Sequence, residues 1–212
     1  MTGVAQTAAA LWGFDPARIA LAAQRENAVW RVETDAGRFA LRLHRPGYRS
    51  EAELQSELGW MAMLAAGGLP VPRPVPSRAG RLVETLGDTP VSVLTWLPGR
   101  IVGAQGALEG IADRAGHMHK LGALLARLHD LSDVWAPPPG FARPRWDRGG
   151  LVGPAPLWGP FWDNPDLSAD QRAQVLAARD RAEADLRARE GTLDFGLIHA
   201  DAITENVMVD GD

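Results

Sequence analysis

Leu197-Ile198-His199-Ala200-Asp201-Ala202-Ile203-Thr204-Glu205-Asn206-Val207-Met208-Val209-Asp210-Gly211-Asp212 carries the densest chemical information in the 212-residue chain. An apolar pair leads into a polar loop, and Val207-Met208-Val209 leads out as a short strand. Asp210-Gly211 is the dipeptide most typical of a tight hairpin turn. A carboxylate and a carboxamide five positions apart are thereby held on a loop between two extended segments. Asp201 can take a proton from an attacking hydroxyl, and Asn206 offers a hard oxygen to a magnesium ion. The plainer reading is that both are turn residues whose side chains bond nearby backbone amides.

Phosphoryl transfer from ATP asks for such a pair, because its catalysis is mostly positioning and charge neutralisation. His-x-Asp-x-x-x-x-Asn therefore reads as a phosphoryl-transfer loop, provided that a cation and a carboxylate stand upstream to hold a nucleotide. Composition narrows the alternatives. With an apolar fraction of 46% and a charged fraction of 23%, the chain has the balance of an ordinary globular protein. A net charge of -4 gives no electrostatic reason to expect a nucleic-acid partner. The absence of cysteine excludes disulfides, thiolate metal sites and cysteine nucleophiles, and fits a cytoplasmic setting. No run approaches the roughly 18 apolar residues of a membrane span, so no membrane partner is expected. Lys120 is the only lysine, so any phosphate-gripping cation elsewhere must be an arginine or a backbone amide.

Working outward, residues from about Val4 to Ala23 read as helical, with Asp15-Pro16 opening a second helix. Val29–Thr34 alternates as a strand, Asp35-Ala36-Gly37 turns, and Arg38–Leu43 returns as a second strand. Ser50 caps a helix running to about Ala66, with Glu51 and Glu53 in its first turn and Leu54, Leu58, Met61 and Leu64 as its apolar stripe. Arg81–Glu84 and Val91–Trp96 read as another pair of strands, and Leu97-Pro98-Gly99 marks a boundary between lobes. A helix from about Ala112 to His129 follows. The proline- and tryptophan-rich segment from Trp135 to Asp166 is weakly periodic, and a charged helix starts at Ser168.

The upstream charges are there. Arg42 lies in the second strand of the hairpin and Glu57 on the helix after it, an arrangement that aims a cation at the α- and β-phosphates of ATP. Taken alone, the pair fits better a solvent-facing strand arginine and an ordinary helix-face carboxylate. Gln24-Arg25-Glu26-Asn27-Ala28 occupies the place of a phosphate-covering loop but has no glycine. His117-x-His119 faces two ways on a helix and reads as surface histidine, not a metal site. The tryptophans between 135 and 162 either line a substrate cleft or form a satellite core.

In order, these parts resemble the aminoglycoside phosphotransferase and choline kinase superfamily, most closely its bacterial homoserine kinase-like and stress-response Ser/Thr kinase branch. Phe39 to Ser50, Ser56-Glu57-Leu58, Thr95 to Arg100, Leu121 to His129, Arg143 to Asp147 and His199 to Asn206 carry the resemblance. It implies an α+β, protein kinase-like fold of two lobes. Residues 1–96 would form a nucleotide-binding lobe of small antiparallel sheet plus helix, and 97–212 a mainly helical catalytic and substrate lobe. It implies that ATP and Mg2+ are the cofactors, that adenine meets backbone near Val93, Leu94, Thr95 and Trp96, and that Arg42 grips phosphate while Glu57 orients it. Asp201 would be the catalytic base or hydroxyl-orienting group, Asn206 the metal ligand, and His199 a brace. The acceptor would be a small-molecule hydroxyl, such as that of an amino alcohol or aminoglycoside. A protein Ser/Thr acceptor, or a nucleotide-binding regulatory module without turnover, are the alternatives.

Three departures stand out against that resemblance. Arginine replaces the usual strand lysine, Ala200 replaces a frequent glycine, and Ala202-Ile203-Thr204-Glu205 differs from the common Leu-His-Pro-Gly. The family's next strand and its Asp-Phe motif would follow Asp212. The chain is thus expected to be a C-terminally truncated kinase, inactive or nearly so by itself, with Val207–Val209 left as an edge without its neighbour.

Overall fold

The computed structural model describes residues 2–14 and 18–211. Two compact units emerge from its contacts, one built from the chain up to Ala142 together with Gly196 onward, the other from Arg143 to Phe195.

The first unit is organised on a five-stranded antiparallel sheet in the order β1-β2-β3-β5-β4. The strands are β1 (Arg18–Gln24), β2 (Ala28–Thr34), β3 (Gly37–Leu43), β4 (Val83–Leu86) and β5 (Thr89–Thr95). The hairpin expected from residues 29 to 43 is present, with Trp30 opposite Leu41 and Thr34 opposite Gly37. Arg18–Gln24 corrects the sequence reading, which extends a helix through Ala23. The segment instead pairs with β2 from Arg18↔Glu33 to Gln24↔Ala28. Its alanines favour a helix only weakly by themselves, and a partner strand supplying a row of backbone bonds overrides them. The helix start expected at Asp15-Pro16 lies outside the described residues.

Alternation along the strands gives the sheet two different faces. Trp30, Val32, Leu41, Val91 and Val93 point to one side, where Ala5, Ala8 and Ala9 of α1 (Thr2–Ala10) pack on them. Leu94, Val83 and Ala40 point to the other side, against Leu54, Leu58 and Met61 of α2 (Glu51–Ala66). α2 begins where its sequence says it should. The Ser50 hydroxyl accepts from the Glu53 amide at 3.2 Å, and the Glu53 carboxylate accepts from the Ser50 amide at 2.9 Å. Beyond the sheet, Trp60 and Leu64 of α2 meet Leu128 of α3 (Arg114–Asp133), and Trp60 Nε1 donates to Ser132 Oγ at 3.0 Å.

The chain then runs through three short strands, β6 (Arg100–Ile101), β7 (Gly103–Ala104) and β8 (Ala107–Leu108), the last two forming a hairpin. β9 (Met208–Val209) pairs antiparallel with β6, Arg100 opposite Val209 and Ile101 opposite Met208. So the strand expected to stand as a bare edge has a neighbour on one side, drawn from the segment just after Pro98. Gly99 permits the pairing. Its φ is +95°, and a Cβ there would run into the Val209 carbonyl oxygen.

The second unit is helical, with α4 (Arg148–Val152), a single 3-10 turn over Phe161–Asp163, and α5 (Ala169–Arg189). Ser168 and Gln171 cap α5 reciprocally. Arg148 joins the two helices, donating to Glu183 at 2.9 Å and to Glu190 at 3.4 Å.

Replacing Gly99 combines positive-φ strain with a backbone clash, so Gly99→Ala should cost about 2 kcal/mol or more. Denaturant unfolding measures the loss, and faster amide exchange at Val102, which donates to the Val207 carbonyl at 2.9 Å, would place it at the β6–β9 pairing. A variant as stable as the parent would show that β9 does not pack against Gly99.

Candidate active site

β3 alternates Phe39, Leu41 and Leu43 towards α1 with Ala40 and Arg42 towards α2. Arg42 is therefore turned onto the helix that carries Glu57. Glu57 lies one turn from Leu54 and beside Leu58, on the sheet-facing side of α2. The Arg42 guanidinium donates to Glu57 Oε1 at 2.9 Å, and the two side chains are only 20% and 24% exposed. Partial burial separates this contact from freely solvated ion pairs, which contribute about 0–1 kcal/mol. The structure thus brings together the two charges that the sequence placed 15 positions apart.

The polar loop near the chain's end closes on itself. Ala200 sits at φ +64°, in the left-handed region where alanine is strained, at the position where the sequence departs from glycine. That turn lets the Asp201 amide donate to His199 Nδ1 at 3.3 Å, so His199 props the loop from behind. A single 3-10 turn over Thr204–Asn206 folds the Asn206 side chain back. Its Nδ2 donates to Asp201 Oδ2 at 2.6 Å and to the Asp201 carbonyl at 3.0 Å. With Nδ2 committed in this way, Oδ1 is the atom of Asn206 left to meet a ligand. Both side chains are exposed.

Around the expected adenine contacts, much of the backbone is already used. The Val93 carbonyl accepts from Val75 at 2.9 Å, the Thr95 amide donates to Arg73 at 2.8 Å, and the Trp96 amide donates to Arg38 at 3.2 Å. Leu94 is buried in the α2-side core. The glycine-free loop between β1 and β2 is tightened by Asn27, whose Oδ1 accepts from the Arg45 amide at 3.3 Å.

The start of the tryptophan-rich segment follows the core reading. Trp135 and Phe141 meet edge to face and pack on the cluster of Trp60, Leu64, Leu69 and Leu128, a satellite core. Within the second unit, Trp158 is 69% exposed, meets Trp146 edge to face, and lines a shallow concavity with Phe161, Asp163 and Asn164. Arg145 stacks over Phe195 and bonds Asp147.

Two further groups escaped the sequence reading. His44 is buried, with Nε2 2.9 Å from the hydroxyl of the equally buried Ser92. Its spacing of two from Arg42 was the available signal, since extended backbone turns both to the same side. Glu205 accepts from the Gln105 amide at the tip of the β7–β8 hairpin at 2.6 Å and from the Thr204 hydroxyl at 2.8 Å. These bonds hold its carboxyl below the usual range. No local pattern announces a bond spanning 100 positions.

A family model described as the phosphotransferase enzyme family matches residues 18–212, and the chain belongs to that family. It is 33% identical over 193 residues to a homoserine kinase of Methylorubrum populi, covering 88% of this chain and 53% of that protein. The chain thus spans about half the length of the curated relatives it matches. Among solved structures, a microcompartment-associated aminopropanol kinase superposes with a TM-score of 0.81 at 31% identity, over 100% of this chain and 65% of that one. An amicoumacin kinase in complex with AMP-PNP and Ca2+ superposes with a TM-score of 0.69 at 25% identity, over 94% and 57%. The fold is therefore the kinase-like α+β arrangement expected. Among the described residues no helix is long and apolar enough to cross a membrane.

Ala200→Gly relieves a strain of roughly 1–2 kcal/mol, against which glycine's extra freedom in the unfolded chain offsets roughly 0.4–1 kcal/mol. The variant should be as stable as the parent or slightly more so; a clear loss in thermal unfolding would contradict left-handed geometry at this position. His44 supplies a pH dependence. Burial, with the Arg42 guanidinium beside it, pushes the imidazole down from 6.5 to about 4, against an opposing pull from Glu57. The unfolded chain takes up the proton first, so stability is complete above 6.5 and is lost as pH falls towards 4. Between about pH 6.5 and 5 the loss should be on the order of 1–2 kcal/mol. His44→Asn should flatten that slope in denaturant titrations, and an unchanged slope would place the titration elsewhere.

Proposed function

We propose that the full-length protein moves the γ-phosphate of ATP to the hydroxyl of a small metabolite, an amino alcohol or aminoglycoside-like acceptor. The observation that carries this reading is the bonded Asp201–Asn206 pair, held in the same compact unit as the bonded Arg42–Glu57 pair. The names of its relatives, a homoserine kinase and an aminopropanol kinase, support an acceptor that carries both a hydroxyl and an amine.

In this reading Arg42 meets nucleotide phosphate, its fork pre-aimed by Glu57. The purine is met from the Thr95 carbonyl onward, because the Val93 carbonyl and the Thr95 and Trp96 amides already have protein partners. Asp201 orients the acceptor hydroxyl and takes its proton. The donor set suits magnesium only in part. Asn206 offers one hard oxygen beside a carboxylate, and among the described residues no group of three or more His, Cys, Asp or Glu forms a cage. Magnesium that keeps waters and substrate phosphates as its other ligands fits such a set. Bound there, it would neutralise phosphate charge during transfer. The same reading assigns residues 1–96 to the nucleotide lobe and 97–212 to the catalytic and acceptor lobe, with Leu97-Pro98-Gly99 between them. A cytoplasmic setting, where ATP is held, goes with it.

ADP release by the full-length protein over a panel of amino alcohols, aminoglycosides and protein Ser/Thr substrates tests the proposal. Asp201→Asn should lower turnover by roughly a hundredfold or more while leaving nucleotide binding in place. Undiminished turnover would remove Asp201 from the chemistry, and turnover confined to protein substrates would overturn the small-metabolite acceptor.

A further inference from the structure

β3 and the residue just after it place two polar residues in succession on the α2 face, Arg42 and, two positions on, His44. Neighbouring positions on that face, Ala40 on β3 and Leu94 on β5, are apolar and pack in the core against α2. His44 is nevertheless only 5% exposed and Ser92 is fully buried, the imidazole Nε2 lying 2.9 Å from the hydroxyl. Ser92 is the residue directly opposite Arg42 in the β3–β5 ladder, and it lies diagonally across from His44, whose amide donates to Pro90. Arg42 therefore has Ser92 opposite it across the ladder and His44 two positions on, just past the end of its strand.

Taking an imidazole and a hydroxyl out of water has a cost that a pair of apolar side chains would avoid, and one hydrogen bond offsets only part of it. What the polar pair adds is a choice of partner for Arg42. The Ser92 hydroxyl and the His44 imidazole bond each other, and the Arg42 guanidinium between them and α2 bonds the Glu57 carboxylate. An imidazole kept neutral by burial also adds no repulsion beside the guanidinium.

We infer that His44 and Ser92 are positioning residues that hold Arg42 onto Glu57 and so set how Arg42 meets the phosphates of a nucleotide. The inference rests on the nucleotide-binding reading above and deepens it. Neither residue touches the nucleotide; both act through Arg42.

The test is the affinity of the full-length protein for ATP and for adenosine, read from tryptophan fluorescence at neutral pH. Ser92→Ala and His44→Leu should each weaken ATP binding about tenfold and leave adenosine binding unchanged. Combining them should be no worse than His44→Leu alone, because both remove one hydrogen bond. His44→Asn, which keeps a neutral group able to donate or accept near Ser92, should recover most of the affinity. Ser92→Ala removes a single oxygen, so it reports on the inference even if His44→Leu does not fold. Arg42→Ala separates the two ideas. If it weakens ATP binding while Ser92→Ala does not, or if Ser92→Ala weakens ATP and adenosine equally, the positioning role is overturned and the nucleotide site stands. If Arg42→Ala leaves ATP binding unchanged, the nucleotide site itself fails and the positioning role falls with it.

Discussion

An ion pair between a strand and a helix, Arg42 to Glu57, is the interaction around which the sheet-bearing half of this protein is arranged. It forms because β3 must satisfy two faces at once. Leu41 is taken into the α1-side core, and the two-residue period of the strand then obliges Arg42 to point at α2. α2 must in turn present Glu57 there, and its register is fixed by the Ser50–Glu53 capping box at one end and by Leu54 and Leu58 along the sheet. A one-residue slip of β3 would bury the charge among Trp30, Val32 and Val93. The core packing and the aim of the cation are thus one constraint.

The second half of the candidate site depends on backbone more than on packing. Asp201 and Asn206 are exposed, and what fixes them is a left-handed Ala200, a 3-10 turn and three local hydrogen bonds. The loop is anchored at its C-terminal end. Glu205 grips the tip of the β7–β8 hairpin, and β9 pairs with β6 over the glycine at position 99. A loop held at one end, with the side chains of Asp201 and Asn206 exposed, suits catalysis that works by placing groups instead of by burying them.

How much of this was legible in the sequence follows from the range of each interaction. The β2–β3 hairpin, the cap of α2 and the Asp201–Asn206 loop are local patterns, read over a few residues. Arg42 and Glu57 were identifiable as types in the right order, although their contact needed the fold. Arg18–Gln24 misled because alanine-rich strands have no local signature, and only pairing with β2 makes the segment extended. His44 with Ser92 and Glu205 with Gln105 join residues 48 and 100 positions apart, and no periodicity encodes such bonds. The chain position of Trp135 could not separate core from cleft, because that depends on which neighbours Trp60 and Leu128 leave uncovered.

The central claim is that the Arg42–Glu57 and Asp201–Asn206 pairs serve one nucleotide. A crystal structure of the full-length protein with AMP-PNP and Mg2+ tests it most directly. The account predicts phosphate oxygens within hydrogen-bonding distance of the Arg42 guanidinium and a divalent ion on Asn206 Oδ1. Nucleotide bound with Arg42 still turned away from its phosphates, or a divalent ion held without Asn206, would contradict it.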